Sequence, residues 1–196
     1  MNESATAGMA LKDWIDGLSQ LPESGFSEAC TRYVREHPVD ADSLKPYCFF
    51  DEHHYTRNLV FKNDVFEVLV LCWEGGQESA THNHRDQDCW MVMGFGCLEN
   101  INYEVYDRDA AAQPCQLRPT SPLRITREAP LAVDPEEPVH KVINCKHVNE
   151  RAASIHIYSK PFDTCEVYLA DGTYRDVQLS YYSEFGERCT DPGYGT

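Results

Sequence analysis

The spacing of the apolar residues changes near position 50, and that change limits the fold more than any other feature of the chain. Before it, apolar side chains recur three or four apart: Leu11, Trp14, Ile15, Leu18 and Leu21, then Phe26, Ala29, Cys30, Tyr33 and Val34. This spacing lines one face of a helix, so it predicts two or three short helices, with Ser24 and Asp40 as N-caps of the second and third. After it come short runs rich in Val, Ile, Leu and aromatics: residues 58–61, 65–73, 89–92, 98–106, 123–126, 139–144, 153–158, 166–169 and 174–182. Turn signals separate them: Lys62-Asn63-Asp64, Gly75-Gly76, Gly94 and Gly96, the stretch 119–122, Pro135 and Pro138, and Asp171-Gly172. Asp171-Gly172 is the strongest hairpin signal. Many short strands at regular spacing predict a mainly β chain, closed as a barrel or stacked as a sandwich.

The chain has 196 residues, the size of one domain with a substantial core. The expected division is helices over 1–50, a β barrel or sandwich over 51–186 and a loose tail over 187–196. A formal net charge of −15 sets the whole-molecule field against nucleic acid and against an anionic membrane, so neither is an expected partner. No run approaches the roughly 18 apolar residues of a spanning helix. The start, MNESATAGMALKDWIDG, lacks the basic and apolar regions of a secretory signal. The nine cysteines are irregularly spaced with no CxxC, which reads as free intracellular thiols. A cytoplasmic monomer is the expectation.

The chemistry concentrates in the histidines. His82-Asn83-His84 places two imidazoles at i and i+2, which on an extended strand point to one face and can reach one centre. Two histidines on a solvated rim would be spelled the same way. The context is Gly76-x5-His82-x-His84-x4-Cys89-x6-Gly96, with His140-x3-Asn144 later. This resembles the paired motifs of the cupin superfamily, small β-barrels that hold a metal inside. The usual pattern has a glutamate where this chain has Cys89, so the resemblance implies three neutral ligands: His82, His84 and His140. Three imidazoles leave the charge of a dipositive ion uncancelled, which favours an anionic chelating substrate and deprotonates a coordinated thiol. The same set suits zinc with an open position. Ligand type alone leaves iron oxygenation and zinc hydrolysis both open.

Five separated strings narrow the field. They are residues 55–60 (YTRNLV), 71–73 (LCW), the His82/His84 motif with Cys89, 140–144 (HKVIN) and 154–165 (SIHIYSKPFDTC). In this order and spacing they resemble type I cysteine dioxygenase, a non-haem iron family within the cupin superfamily. The resemblance implies a cupin-type small β-barrel and a mononuclear Fe(II) cofactor. It also implies L-cysteine and O2 as reactants, with both oxygen atoms placed on sulfur to give cysteine sulfinate. Carried over by position, His82, His84 and His140 match the iron ligands, and Arg57 the residue that holds the substrate carboxylate. Tyr158 matches the active-site tyrosine and Cys89 its thioether partner. Tyr55, Ser154, His156 and Cys165 match the surrounding shell. Vertebrate members carry a proline where Lys160 stands, with a cis bond after the serine.

The residue types suit these roles. Ser154, His156 and Tyr158 alternate, so on a strand they share one face, where Ser can orient His and His can hydrogen-bond Tyr. Arg57 offers a planar fork for a carboxylate. Relatives that oxidise 3-mercaptopropionate typically have glutamine there, and a substrate without a carboxylate would leave Arg57 nothing to bind. Three other readings stay open at this point: a 3-mercaptopropionate dioxygenase, a non-catalytic metal-binding cupin, and a zinc isomerase or hydrolase.

Overall fold

The computed structural model describes residues 8–106, 114–133 and 139–190; Pro135, Pro138 and tail residues 191–196 lie outside them. The two amphipathic runs form α1 (Leu11–Leu18) and α2 (Phe26–Glu36), followed by a 3-10 helix over Ala41–Tyr47. Each buries one stripe: Leu11, Trp14, Ile15 and Leu18 on α1, and Phe26, Cys30 and Val34 on α2. Asp40 caps the 3-10 helix, accepting from the Asp42 N–H at 3.2 Å. Ser24 caps nothing: α2 starts after Gly25, whose left-handed backbone (φ 79°) turns the chain into the helix.

The strands are β1 (Thr56–Lys62), β2 (Glu67–Glu74), β3 (Thr81–His82), β4 (Asp88–Phe95), β5 (Leu98–Tyr106), β6 (Gln116–Pro119), β7 (Leu123–Ile125), β8 (Leu131–Ala132), β9 (His140–Ile143), β10 (Arg151–Ser159), β11 (Thr164–Tyr168), β12 (Tyr174–Gln178), β13 (Ser183–Glu184) and β14 (Glu187–Arg188). One sheet runs β14-β13-β1-β2-β10-β4-β8; the other runs β12-β11-β3-β9-β5-β6, with β7 also on β5. Gly94 sits inside β4 and only Gly96 makes the turn (φ 72°). β14 pairs with β13, so ordered pairing continues past Gly186, where a loose tail was expected.

The first sheet is covered on both faces. On β2, Val68, Val70 and Cys72 join the helix residues Trp14, Leu18, Phe26 and Val34 in one cluster. The alternate residues Leu69, Leu71 and Trp73 turn inward and meet Leu98, Ile125 and Val142 of the second sheet. That double burial is why β2 reads as a continuous apolar run, where a half-exposed strand would alternate. Each such aliphatic side chain contributes about 1.5–3 kcal/mol by leaving water. Trp90 ties α2 to β4 through its indole N–H, which donates to Thr31 Oγ1 at 2.8 Å. The inward face of the first sheet and the facing strands of the second enclose the polar site.

β11 and β12 form the hairpin expected at Asp171-Gly172. The Asp171 carboxylate accepts from the Thr173 N–H and hydroxyl at 2.9 and 2.6 Å, and Gly172 takes φ 82°. No helix among the described residues is long and apolar enough to cross a membrane.

Candidate active site

The two sheets contribute different chemistry. From the second come His82 at the end of β3, His140 at the start of β9, and His84 just beyond β3. His82 and His140 are direct cross-strand partners. His84 does not lie on a strand, contrary to the expectation from the i, i+2 spacing. A turn carries it instead, with the Gln87 N–H donating to its carbonyl at 3.0 Å and Arg85 and Asp86 at positive φ. Asn83 between them is pinned outward on β11: its amide donates to Glu166 Oε2 at 2.7 Å and its Oδ1 accepts from the Glu166 N–H at 3.1 Å.

The three imidazoles converge. One nitrogen from each lies within 4.8 Å of the others, and His84 Nε2 and His140 Nε2 are 3.1 Å apart. A carbonyl oxygen only accepts, so His140 Nδ1–H donates to Asn100 Oδ1 (2.5 Å) and His82 Nδ1–H to the Ala80 carbonyl (2.9 Å). That leaves both Nε2 lone pairs for an ion. The Asn100 amide is itself oriented, donating to Asn102 Oδ1 at 2.6 Å. Burial pushes the His82 pKa down to about 4 and holds His84 and His140 well below the usual histidine value. All three are neutral donors at pH 7, and a dipositive transition-metal ion fits them.

The first sheet supplies the facing wall. On β10, Ser154, His156 and Tyr158 form a hydrogen-bonded row: Ser154 Oγ to His156 Nε2 at 3.0 Å and His156 Nδ1 to the Tyr158 hydroxyl at 3.1 Å. Trp73 extends it, its indole N–H donating to Ser154 Oγ at 3.0 Å. Burial lowers the His156 pKa to about 3 and, with Cys89 next to it, raises Tyr158 well above the usual phenol. Cys89 on β4 is the direct cross-strand partner of Tyr158, and burial keeps its thiol protonated. Arg57 on β1 carries its guanidinium 5.8 Å from the centre of the Tyr158 ring. Two of its nitrogens, Nε and Nη2, are buried with no hydrogen-bond partner. Tyr55, one residue before β1, stacks on Trp73 at 4.4 Å.

A cavity of about 280 Å³ opens onto this wall, lined by Tyr55, Arg57, His82, Tyr158 and Cys165 among others. Thus the ten residues singled out in the sequence gather in one place from six elements or their flanks. Sequence reasoning missed five more: Asn100 behind His140, Trp73 at the head of the hydrogen-bonded row, Phe162 edge-on to Tyr158 (5.0 Å), His54 at the cavity wall, and the buried Glu67. The Ser159-Lys160 peptide is cis.

Residues 29–170 match the sequence family described as cysteine dioxygenase type I. The chain belongs to that family. It is 28% identical to cysteine dioxygenase type 1 of Danio rerio over 91% of this chain and 89% of that protein. It is 34% identical to the Bos taurus protein of the same name over 71% of this chain and 68% of that one. Among solved structures, a Klebsiella pneumoniae protein with a double-stranded β-helix domain aligns at a TM-score of 0.45 and 15% identity, covering 69% of this chain and 88% of that one. The chain is therefore a mainly β member of a dioxygenase family, with a three-histidine site placed to hold a metal ion between its two sheets. These relatives do not favour the 3-mercaptopropionate, non-catalytic or zinc-hydrolase readings.

Proposed function

We propose that the chain oxidises L-cysteine with O2 to cysteine sulfinate at an iron(II) ion held by His82, His84 and His140. The observation that carries this reading is the pairing of the neutral three-histidine site with a buried arginine on the opposite sheet. An anionic thiol substrate needs a cation at a fixed distance from the metal, and Arg57 meets that need. Iron(II) would supply open coordination positions and the redox chemistry that dioxygen requires.

The chain's own residues do the rest. Arg57 receives the substrate carboxylate in a desolvated pocket, where a charge-assisted bond is stronger than in water. Tyr55 and Cys165 close the cavity around the amino-acid backbone. Trp73 can only donate, so Ser154 accepts there and donates its own O–H to His156 Nε2. His156 then donates from Nδ1 to the Tyr158 oxygen, and the tyrosine's proton is directed at the cavity. The balance is RSH + O2 → RSO2⁻ + H⁺: both oxygens go to sulfur and the thiol proton leaves. The adjacency of Cys89 and Tyr158 supports a thioether between them, ArH + RSH + O2 → ArSR + H2O2, the two hydrogens passing to the O2 that the proposed reaction uses. We also propose a cytoplasmic monomer, a reading supported by the absence of any disulfide among the nine cysteines.

The test is O2 uptake by Fe(II)-loaded protein given L-cysteine, 3-mercaptopropionate and cysteamine in parallel, with product mass read at the end. Uptake with L-cysteine and a gain of two oxygens is expected. A preference for 3-mercaptopropionate overturns the substrate, and no uptake with any thiol overturns the reading. Intact mass before and after turnover reads the thioether, and Cys89→Ser should abolish the loss of two hydrogens.

A further inference from the structure

One charged side chain of the inner wall has no part in the chemistry above. Glu67 is completely buried, and its Oε1 has no hydrogen-bond partner. Burying a carboxylate is costly unless it is compensated, so its presence calls for a reason. Its Oε2 is held: the Tyr181 hydroxyl donates to it at 2.7 Å and the Lys62 ammonium lies 3.4 Å away. Lys62 also donates to the Tyr181 oxygen at 3.2 Å, so the three form one cluster reaching the surface.

Register fixes where the carboxylate stands. Glu67 is the direct cross-strand partner of Tyr158 on one side and of Lys62 on the other. It therefore shares the inward face with Tyr158, over whose ring the Arg57 guanidinium lies. It interacts electrostatically with Arg57 but makes no ion-pair contact with it, and it does not line the cavity.

We infer that Glu67 is a built-in counter-charge that tempers the cationic pocket so that the anionic product can leave. The inference rests on the proposed L-cysteine reaction. With a dipositive ion held on the three neutral imidazoles, Arg57 would leave the pocket strongly positive. Free cysteine is a neutral zwitterion at pH 7, whereas free cysteine sulfinate carries one further negative charge. A pocket positive enough to draw in the first would retain the second. A fixed anion behind Arg57 lowers that potential for both and weakens the hold on the product more. Glu67 touches neither reactant nor metal ligand; it is a positioning residue that sets the field in which Arg57 works.

The test is calorimetric titration of cysteine sulfinate into anaerobic Fe(II)-loaded protein, with KM and kcat for L-cysteine measured alongside. Glu67→Gln keeps the shape and removes the charge, and should tighten sulfinate binding about three- to tenfold at the effective dielectric of a protein interior. Glu67→Asp keeps the charge and should stay within about twofold of the wild type. Lys62→Met removes a cation from the same cluster at the surface and should weaken sulfinate binding about twofold, the opposite sign. A purely structural role would lower kcat and melting temperature without moving sulfinate affinity in opposite directions. Unchanged or weaker binding in Glu67→Gln overturns the inference. If that variant does not fold, Lys62→Met decides alone, and no weakening overturns it. Wild-type protein that neither oxidises L-cysteine nor binds its sulfinate overturns the functional reading and this inference with it. An active wild type with an unaltered variant overturns the inference alone.

Discussion

Arg57 gains its force from burial, because water screens little of its charge where it stands. Replacing it with alanine removes a charge-assisted bond of about 1.5–3 kcal/mol, so KM for L-cysteine should rise about tenfold or more. Steady-state kinetics reads this directly, and an unchanged KM takes Arg57 out of the site. Asn100 acts one step further back. Its Oδ1 holds the His140 ring, and partners of this kind typically change metal affinity about 10–100-fold. Asn100→Ala should therefore lose metal on dialysis against a chelator under conditions where the wild type retains it, as measured by elemental analysis. Arg57 was legible in the sequence through the YTRNLV string, whereas Asn100 was not. It lies 40 positions from the histidine it orients, on a strand with no string of its own. The one available signal was an asparagine inside a strand-like run, a place where that residue is depleted. Glu67 was hidden in the same way, at the edge of an apolar run that read as plain core.

At the scale of elements, periodicity found the long strands and failed on β6 and the two-residue ones. β2, β4, β5 and β10 each span eight or nine residues, enough for composition and turns to mark them. β3, β8, β13 and β14 are two residues each and carry no period to detect. β3 is the costly miss, since it bears His82 and its early end is why His84 is delivered by a turn. Family strings singled out both histidines, and the structure brings them together with His140 even though His84 does not sit on the strand assumed for it. The N-cap at Ser24 failed for a local reason: a left-handed glycine already turned the chain at position 25. The Asp171-Gly172 hairpin succeeded because its chemistry is local. There Gly172 has φ 82°, and a Cβ would sit 2.1 Å from the Cys115 carbonyl oxygen. Gly172→Ala should cost about 1–3 kcal/mol in denaturant unfolding, with iron-loaded turnover little changed at temperatures where the variant stays folded. A loss below about 0.5 kcal/mol would mean that the hairpin yields without strain.

The molecule as a whole stores four neutral histidines in its interior: His82, His84, His140 and His156. Each has a folded-state pKa depressed by burial, to about 4 for His82 and about 3 for His156. Below the unfolded value of about 6.5 the unfolded chain takes up protons that the folded chain refuses. Stability from these groups is complete above that pH and is lost progressively as pH falls toward the folded values. Metal-free protein should melt at clearly lower temperature at pH 5.5 than at pH 7.5, by differential scanning calorimetry. An unchanged melting temperature would mean that the imidazoles are not held neutral.

The division of labour between the sheets has one more consequence. The three converging histidines sit on or beside strands of one sheet, and Arg57 and Tyr158 stand on the other, so the separation between a metal held there and the guanidinium would be set by the packing of two layers. Packed layers do not stretch. On the proposed reading the barrel would work as a fixed-jaw gauge: a thiol whose carboxylate lies the right number of bonds from its sulfur would span the gap, and a chain one methylene longer or shorter would be out of tolerance.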